Sequence, residues 1–555
     1  MKRYFILCLF FSFLFSTHAQ LTPEQEKAID QLFSSWDAGN RPGGSVGIMK
    51  EGEIIYSKGF GLASLEYKVP NSYGTIFNIA SVSKQFTSMG IVRLEEMGML
   101  SVDDDIRKYI PELPDFGYTI TLRHCMYHTS GMRSLHAMLG MAGWRGDDSR
   151  TDEDLFRYMK RQRELNFTPG DDYLYCNTGY MLLAVIIERL TEESFPEWMK
   201  KNVFQPLGMN HTYVEDDYSR VVPNNATSYY RDNEGFSRAV EYWGYVGSGN
   251  MHSTAEDLLY WMDNYRNPKI GWEKAFRRMQ EVGELNNGNS INYAFGININ
   301  EMLGKKFIGH GGAIGGFRSN VICFPKEKLN IVVLGNFSSS GPQGKISQIA
   351  EILMGAEEKE STSQLLAINA IQLSAKKLSQ FEGDYWNLKE NYTRKIYLKD
   401  DTLRYFRAEG NETSLIPISE NSFQMMGLGF VAKVSFAADK KKGMIMHFSQ
   451  PNESIEEDFE RYTKPTIDTD FLQKLSGVYY SPELDTHYTL STDGKSLKGY
   501  HNRHGEFGIS AKRENYLSAD HGAFASIKVK RDKKGEVEGF YVSNGRVRNM
   551  WFMKR

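Results

Sequence analysis

The last third of the chain contains an internal repeat, and this repeat restricts the possible folds more than any other feature. It pairs residues 381–386 (FEGDYW) with residues 475–480 (LSGVYY), and two later turn segments recur in the same order. Both copies consist of short strand-like runs separated by turn residues, a pattern typical of β-sandwiches and barrels. We therefore predict two small all-β domains, over residues 375–464 and 465–555.

Residues 20–355 have a different pattern, in which helical segments lie between strand-like segments. Residues 44–61 alternate around a Glu51-Gly52 turn and predict an opening β-hairpin. Helices are predicted after Ser81, over 122–128 and 179–190, behind a Ser253-Thr254 cap, and over 346–354. Strands are predicted over 293–299, 307–309, 320–324 and 329–334. This order predicts one domain with a sheet built from both ends of the segment and a helical subdomain between them. The polar segment 356–374 is predicted to be a linker.

Composition limits the partners that this chain could have. The 555 residues are 41% hydrophobic and 13% aromatic, and a chain of this length is expected to form about three to four domains. The 66 basic and 69 acidic residues give a net charge of -3, which disfavours nucleic acid as a partner. A small molecule or a peptide is the expected partner, and the sequence does not indicate an oligomeric state.

The N-terminus has the pattern of an export signal. Lys2 and Arg3 precede an apolar run over residues 4–15, and Thr17-His18-Ala19 is a small-x-small cleavage pattern. The apolar run is shorter than the roughly 20 residues that span a bilayer. We predict a signal peptide over residues 1–19 and a periplasmic or secreted mature protein without a transmembrane anchor.

The sequence indicates neither a disulfide framework nor a metal site. After the signal peptide three cysteines remain, Cys125, Cys176 and Cys323, and an odd number at wide spacing favours buried apolar thiols. His124 and His128 lie four residues apart, but His124 is not followed by the glutamate of the metalloprotease pattern. No metal ligand and no cofactor are predicted.

The segment Ser81-Val82-Ser83-Lys84 places a hydroxyl and an amine one helical turn apart. Residues three apart on a helix share a face, so Lys84 can reach the Ser81 oxygen. A serine hydroxyl becomes a nucleophile when a neighbouring base removes its proton. Lysine can be that base only if burial or a nearby charge lowers its pKa from about 10.4 towards neutrality. The motif is short enough to recur by chance, and a solvated helix face is the alternative interpretation.

Three further segments follow this motif in order along the chain. They are residues 127–132 (YHTSGM), Tyr175-Cys176-Asn177 and His310-Gly311-Gly312. The ordered set, over residues 21–355, resembles the serine β-lactamase and penicillin-binding superfamily, in the branch of class C β-lactamases, D-Ala-D-Ala carboxypeptidases, D-aminopeptidases and esterases. The two β units resemble the layout of D-aminopeptidases, whose extra domains are eight-stranded barrels.

The resemblance implies a fold and a reaction. The fold would be an α/β (α+β) catalytic domain, with an antiparallel sheet flanked by helices plus a helical subdomain. Ser81 would attack a substrate carbonyl and form an acyl-enzyme. Lys84 and Tyr175 would share the proton transfers, and the ammonium of Lys84 is expected to lower the pKa of the Tyr175 phenol.

The resemblance also implies which residues bind the substrate. Asn177 would donate its amide to a substrate carbonyl, although a turn or cap residue before the helix is an equal alternative. The oxyanion would accept hydrogen bonds from the backbone N–H groups of Ser81 and Ala313. Gly312 lies in the glycine-rich run that would bring this backbone close to the substrate.

One departure from the family pattern bears on the substrate. His310 stands where β-lactamases carry lysine, and Gly311 replaces a hydroxyl residue. Because histidine is mostly neutral at pH 7, the site for a substrate carboxylate is weakened. Arg318 could restore a cation if it turns inward. We therefore expect inefficient turnover of penicillins, with peptides or esters as better substrates.

Three functional interpretations remain open from the sequence. The favoured one is an exported, cofactor-free serine hydrolase that acts through an acyl-enzyme on amide bonds of D-amino-acid peptides, as a carboxypeptidase or an aminopeptidase. An esterase of the same fold is the main alternative. A β-lactamase and a non-catalytic binding protein that retains the fold are weaker alternatives.

Overall fold

The structure is a computed structural model, and it describes most of the chain. The described residues are 20–355, 370–387, 389, 392–408, 411–426, 432–450, 455–465 and 468–555. The predicted signal peptide and residues 356–369 of the predicted linker lie outside them. Within the described residues, no helix is both long enough and apolar enough to cross a lipid bilayer.

A six-stranded antiparallel sheet forms the centre of the first domain. In spatial order its strands are Asn298–Met302, Lys305–Ile314, Phe317–Phe324, Leu329–Gly335, Gly44–Lys50 and Glu53–Phe60. Gly44 is paired with Gly335, so the hairpin from the start of the domain lies next to the last strand in sequence. The predicted Glu51-Gly52 turn and the closure of the sheet by both ends of the domain are confirmed.

Both faces of this sheet are covered by helices, because its strands are apolar on both sides. Val46 and Ile48 pack with the helices Pro23–Phe33 and Pro342–Met354 on one face. Met49 points to the opposite core, and a side chain at Gly47 would collide with Leu259 of the helix Ala255–Asp263. Thr254 caps that helix, as the sequence predicted.

The remaining helices form a subdomain beside the sheet, and short strands connect the two. The helices are Ser83–Glu96, Leu122–Met126, Leu135–Met141, Asp152–Arg161, Asn177–Thr191, Phe195–Met199, Lys200–Phe204, Gln205–Leu207 and Glu273–Met279, with single turns at Ala80–Val82 and Ile106–Lys108. The short strands are Leu62–Ser64, Val69–Pro70, Phe77–Asn78, Tyr213–Val214, Tyr229–Arg231, Phe236–Arg238 and Met251–Ser253.

Two predicted elements differ from the structure. The helix predicted over 122–128 ends at Met126, because His128 has a left-handed backbone with φ 61°. The strand predicted over 293–299 begins only at Asn298. Gly296 causes this difference: a Cβ there would lie 2.7 Å from the Lys84 carbonyl oxygen, so the segment turns where it touches the helix Ser83–Glu96.

Each copy of the repeat forms a closed eight-stranded barrel, as the sequence predicted. The first barrel contains Gly383–Asn387, Tyr392–Lys399, Thr402–Ala408, Asn411–Pro417, Ser422–Met425, Lys433–Asp439, Gly443–Gln450 and Ile455–Tyr462. The second contains Gly477–Ser481, Thr486–Thr492, Leu497–His501, Gly505–Arg513, Tyr516–Ala519, Ser526–Arg531, Val537–Asn544 and Val547–Lys554. Short helices, Ala375–Leu378 and Thr469–Leu475, precede them.

The tyrosine of the repeated segment has the same structural role in both barrels. The Tyr385 hydroxyl donates to the Phe381 carbonyl at 2.8 Å, and the Tyr479 hydroxyl donates to the Leu475 carbonyl at 2.7 Å. Each tyrosine therefore ties the first strand to the turn before it. This explains why the tyrosine recurs at the same position of both copies.

The second barrel packs against the helical subdomain through a continuous apolar core. At this contact the fully buried Arg133 forms an ion pair with Glu483, which is 3% exposed, and donates to the Arg548 carbonyl at 3.1 Å. The Tyr488 hydroxyl donates to the Met141 carbonyl at 2.9 Å. The second barrel is therefore attached by buried polar contacts that lie within an apolar interface.

We predict that Glu483→Ala destabilises the docked barrel by about 3–5 kcal/mol, because it leaves the Arg133 guanidinium buried without its counter-ion. Thermal unfolding and limited proteolysis would measure the effect. The control is Glu506→Ala, which removes a surface pair with Lys498 and should cost less than about 1 kcal/mol. Equal effects of the two substitutions would contradict the assignment of the Arg133–Glu483 pair as the docking contact.

Candidate active site

Ser81 lies in a tight turn between the strand Phe77–Asn78 and the helix Ser83–Glu96. Ala80, immediately before it, has φ 50°, a left-handed conformation that costs a non-glycine residue about 1–2 kcal/mol. The Asn78 side chain accepts a hydrogen bond from the Ala80 N–H at 2.9 Å and holds this turn. The strained backbone presents Ser81 at the start of the helix, which is consistent with a functional position.

Lys84 contacts Ser81 in the manner that the helical spacing predicts. Its Nζ donates to Ser81 Oγ at 3.1 Å and to the Ser248 carbonyl at 2.6 Å. The side chain is fully buried. Burial lowers the Lys84 pKa well below its ordinary value, and the charge of Arg546 lowers it further. The neutral amine that results can accept a proton from Ser81.

Tyr175 faces the same amine from a segment held by His128. The Lys84 Nζ lies 4.8 Å from the centroid of the Tyr175 ring. The His128 imidazole accepts a hydrogen bond from the Cys176 N–H at 3.1 Å, and the His128 carbonyl accepts one from the Leu174 N–H at 3.0 Å. These contacts fix the backbone on both sides of Tyr175, so the tyrosine is brought to Ser81 and Lys84 as predicted.

The predicted lowering of the Tyr175 pKa is wrong. Burial raises the Tyr175 pKa above its ordinary value, although the neighbouring Ser81 hydroxyl and the charge of Arg546 oppose this effect. The Tyr175 hydroxyl is buried and forms no hydrogen bond of ordinary geometry with any described residue. Tyr175 is therefore a phenol at neutral pH, which can donate a proton and cannot remove one from Ser81.

Asn177 is the first residue of the helix Asn177–Thr191, and Cys176 occupies the cap position. The side chain of Asn177 does not cap the helix. Its amide oxygen is buried and has no hydrogen-bond partner among the described residues. Since a buried polar atom without a partner costs about 1–3 kcal/mol, this favours a substrate contact over the predicted alternative of a cap residue.

His310 lies on the strand Lys305–Ile314 next to the same group of residues. Its ring forms a 3.1 Å hydrogen bond with the Tyr293 hydroxyl, and it is 6% exposed. Burial lowers the His310 pKa to about 4, with a smaller contribution from the charge of Lys84. The imidazole is thus neutral at pH 7, as the sequence suggested.

Gly312 allows this strand to approach the turn that carries Ser81. A Cβ at Gly312 would lie 2.4 Å from the Ile79 carbonyl oxygen and 2.9 Å from the Ala80 Cβ. The Ser319 hydroxyl donates to the same Ile79 carbonyl at 2.7 Å, which ties the neighbouring strand to the turn. The backbone at Ala313 therefore lines the cavity that also contains Ser81.

Arg318 does not supply the cation that the sequence suggested. Its guanidinium donates to the carbonyl groups of Gly315 and Phe317, at 2.8 and 2.7 Å, and lies outside the lining of the Ser81 cavity. Arg318 follows the turn between two sheet strands, and its side chain folds back over that turn. The condition for its supplying a cation, an inward-turned side chain, is not met in the structure.

The cavity beside Ser81 has a volume of about 320 Å³ and is lined by residues that the sequence did not reveal. Arg150, Trp243 and Tyr245 come from the helical subdomain and its connecting loops, and Arg546 comes from the second barrel. The turn residues of segment 247–250 (GSGN) are a sequence pattern that could have indicated one wall of this cavity. No local pattern could indicate Arg546, because it reaches the cavity only through domain packing.

The histidines and cysteines of this region have structural contacts. His124 accepts a hydrogen bond from the Thr121 N–H in a capping box. The three predicted thiols, Cys125, Cys176 and Cys323, are buried and free. No group of three or more His, Cys, Asp or Glu side chains within the described ranges is arranged to hold a metal ion.

Comparison with known families gives one match that covers most of the first domain. The Beta-lactamase family model matches residues 29–353, more than half of the chain. The matched region contains Ser81, Lys84, Tyr175, Asn177 and His310, and it ends before the two barrels.

Individual relatives extend this comparison. Penicillin-binding protein 4* of Bacillus subtilis (strain 168) is 26% identical over 449 residues, which cover 76% of this chain and 96% of the relative. A D-aminopeptidase of Gluconobacter oxydans is 28% identical over 333 residues, which cover 59% of this chain and 62% of the relative. Among solved structures, the octameric penicillin-binding protein homologue of Pyrococcus abyssi matches with a TM-score of 0.55 and 25% identity, over 78% of this chain and 100% of that one.

We predict that Gly312→Ala lowers the rate at which a fluorophosphonate probe labels Ser81 by about 100-fold, because the new methyl group displaces the strand from the Ser81 turn. The matched control is Gly311→Ala on the same strand, where the nearest atom would be 3.7 Å from the Cβ. This control should label within about twofold of the wild type, since no atom has to move. Gel fluorescence over time measures both rates, and equal labelling of the two variants would contradict the close approach.

We predict that His310 makes the folded protein sensitive to acid. The unfolded chain protonates this imidazole near pH 6.5, whereas the folded chain keeps it neutral until about pH 4. The unfolded state binds more protons between these values, so stability falls as pH falls, by up to about 1.4 kcal/mol per pH unit.

His310→Asn should therefore show a shallower loss of stability than the wild type between pH 6.5 and 4. Urea unfolding midpoints across this window measure the slope. The exposed His487 provides the control, and His487→Asn should retain the slope of the wild type. An unchanged slope in His310→Asn would refute this prediction.

Proposed function

This chain belongs to the β-lactamase family, and we propose that it is a serine hydrolase that forms an acyl-enzyme on Ser81 and cleaves amide bonds of D-amino-acid peptides. The observation that carries the proposal is the 3.1 Å contact between the Ser81 hydroxyl and the fully buried amine of Lys84. The relatives named D-aminopeptidase and penicillin-binding protein support a peptide substrate.

Lys84 is the proposed base for acylation. Its lowered pKa provides a neutral amine, which takes the proton of Ser81 as the serine oxygen bonds to the substrate carbonyl carbon. The hydrogen bond to the Ser248 carbonyl stabilises the ammonium that forms. Positioned proton transfer of this kind typically contributes about 10²–10⁴-fold to the rate.

The backbone N–H groups of Ser81 and Ala313 are the proposed oxyanion donors. The support for this assignment is that Gly312 brings the strand of Ala313 against the Ser81 turn and that both residues line one cavity. Loss of one such donor typically costs about 2.7–4 kcal/mol of transition-state stabilisation. Asn177 would bind the substrate backbone through its side-chain amide, whose buried oxygen has no partner among the described residues and can accept from a substrate N–H.

Tyr175 is the proposed proton donor to the leaving nitrogen. Its raised pKa keeps it as a phenol, and the Lys84 ammonium formed in the first half of the reaction, whose Nζ lies 4.8 Å from the centroid of the Tyr175 ring, is the proposed group that reprotonates it. The C–N bond then breaks, and the amine product leaves with the proton of Tyr175. Lys84, neutral again after it has reprotonated Tyr175, takes a proton from water as the water attacks the acyl carbonyl, and it returns this proton to the Ser81 oxygen as the acid product leaves.

Export belongs to the same proposal. Residues 2–19 have the composition of a signal peptide, and peptides that contain D-amino acids occur in the bacterial cell wall, so a periplasmic or secreted location would bring enzyme and substrate together. N-terminal sequencing of the mature protein tests this point, with Gln20 expected as the first residue.

We predict that Ser81→Ala abolishes labelling by a fluorophosphonate probe and that Lys84→Arg slows it by about 10²–10⁴-fold, because a guanidinium cannot accept the serine proton at neutral pH. The exposed Lys326 provides a control, and Lys326→Arg should label like the wild type. Labelling of Ser81→Ala at the rate of the wild type would refute the assignment of the nucleophile.

We predict that intact-mass spectrometry detects an acyl adduct on Ser81 with D-alanyl peptides, and with penicillins only a slowly turned-over adduct. Short p-nitrophenyl esters are tested in parallel on the same preparation. Turnover of the esters without any turnover of the peptides would replace the peptidase proposal by the esterase alternative.

A further inference from the structure

We propose that Arg546 of the second barrel binds the C-terminal carboxylate of the peptide substrate, and that the enzyme therefore acts as a carboxypeptidase and not as an aminopeptidase. This inference rests on the proposed function, since it assigns the leaving group of the Ser81 reaction. It also makes the second barrel part of the substrate site.

Arg546 lies in the turn between the strands Val537–Asn544 and Val547–Lys554. Its guanidinium carbon lies 4.8 Å from the centroid of the Tyr175 ring, and its side chain lines the cavity that contains Ser81. The barrel thus places a permanent cation next to the residue that we propose as the proton donor.

The turn that carries Arg546 is held against the first domain. Asn166 accepts a hydrogen bond from the Arg548 N–H at 2.8 Å and donates to the Arg546 carbonyl at 3.4 Å. The Arg548 side chain forms a 2.9 Å ion pair with Asp172, three residues before Tyr175. These contacts fix the backbone from the Arg546 carbonyl to Arg548, and the Arg546 side chain lines the cavity.

No carboxylate of a described residue forms an ion pair with the exposed Arg546 or with Arg150, which is the buried cation of the same cavity. Arg150 is 5% exposed. Its guanidinium forms hydrogen bonds with the neutral groups of His136, Tyr245 and the Arg145 carbonyl. Its Nε is buried without a hydrogen bond. A buried cation without an anion is costly unless a ligand supplies the negative charge.

No carboxylate among the lining residues competes for these cations. Glu241 lies behind the wall residue Tyr230, and burial raises its pKa to about 7, so it carries only part of a charge at neutral pH. The neighbouring Arg318 offsets that charge. The cavity is therefore electropositive, which attracts a carboxylate and repels the terminal ammonium that an aminopeptidase substrate must carry.

The position of Arg546 relative to Tyr175 determines which end of the substrate it meets. Tyr175 donates its proton to the leaving nitrogen in the proposed reaction. In a peptide that loses its last residue, the terminal carboxylate is attached to the same Cα as that nitrogen. A guanidinium beside Tyr175 thus lies on the leaving-group side, where it can form a charge-assisted hydrogen bond to this carboxylate.

The test compares N-acetyl-D-alanyl-D-alanine with its neutral C-terminal amide. In the wild type we expect kcat/KM to be at least about tenfold higher for the free acid, and Arg546→Ala should remove this preference, mainly through KM. Arg546→Lys should restore part of it, because it retains the charge. The control Lys533→Ala removes an exposed cation of the same barrel that does not line the cavity, and it should keep the preference for the acid.

A binding measurement separates this inference from the proposed chemistry. Ser81→Ala, which cannot turn over either peptide, should bind the acid more tightly than the amide in ligand-observed NMR, and Ser81→Ala/Arg546→Ala should bind them equally. Equal binding to Ser81→Ala would overturn the role of Arg546 even if the wild type hydrolyses peptides. Preferential binding of the acid without turnover by the wild type would instead overturn the proposed reaction and leave the carboxylate site established. Loss of fluorophosphonate labelling in Arg546→Ala would also overturn the inference, because this neutral probe needs no carboxylate site.

Discussion

The burial of the Lys84 amine beside Ser81 is the constraint on which the rest of the site depends. In water this amine would be charged and could not accept a proton from serine. The fold removes it from water in the first turn of the helix Ser83–Glu96, where it donates hydrogen bonds to the Ser248 carbonyl and the Ser81 hydroxyl. Desolvation of an ammonium costs several kcal/mol, and at this position that cost appears as a lowered pKa.

The surrounding glycines and histidines serve to bring backbone segments close to this amine. Gly296 lies against the Lys84 carbonyl, and Gly312 lies against the Ile79 carbonyl one turn earlier, at distances that no side chain would permit. His128 contributes from the helical subdomain by anchoring the segment of Tyr175. The site is thus assembled from close backbone contacts between the sheet and the subdomain. Substitution of Gly312 would therefore lower the reactivity of Ser81 although Gly312 contributes no reacting group.

Local sequence patterns could predict the parts of this structure that local geometry determines. The Ser81–Lys84 contact follows from helical spacing, and the two barrels follow from a repeat whose tyrosines close the same turn. The resemblance to a known family predicted that Tyr175 and Asn177 lie at the same site as Ser81. The direction of the Tyr175 pKa shift was predicted wrongly, because this pKa depends on burial by residues distant in sequence. Arg546 was not predicted for a related reason: its role requires the second barrel to dock on the first domain.

If Arg546 binds the substrate carboxylate as we propose, its charge links substrate binding to the reactivity of Lys84. In the free site this charge lowers the Lys84 pKa, so the amine is neutral but a weak base. A substrate carboxylate on Arg546 would cancel much of that charge at the same distance, and the Lys84 pKa would rise towards the value set by burial alone. The amine would then become a stronger base as the scissile carbonyl arrives at Ser81. A neutral substrate would leave the charge of Arg546 uncompensated, so the electrostatics that select the carboxylate would also favour proton transfer from Ser81 for that substrate.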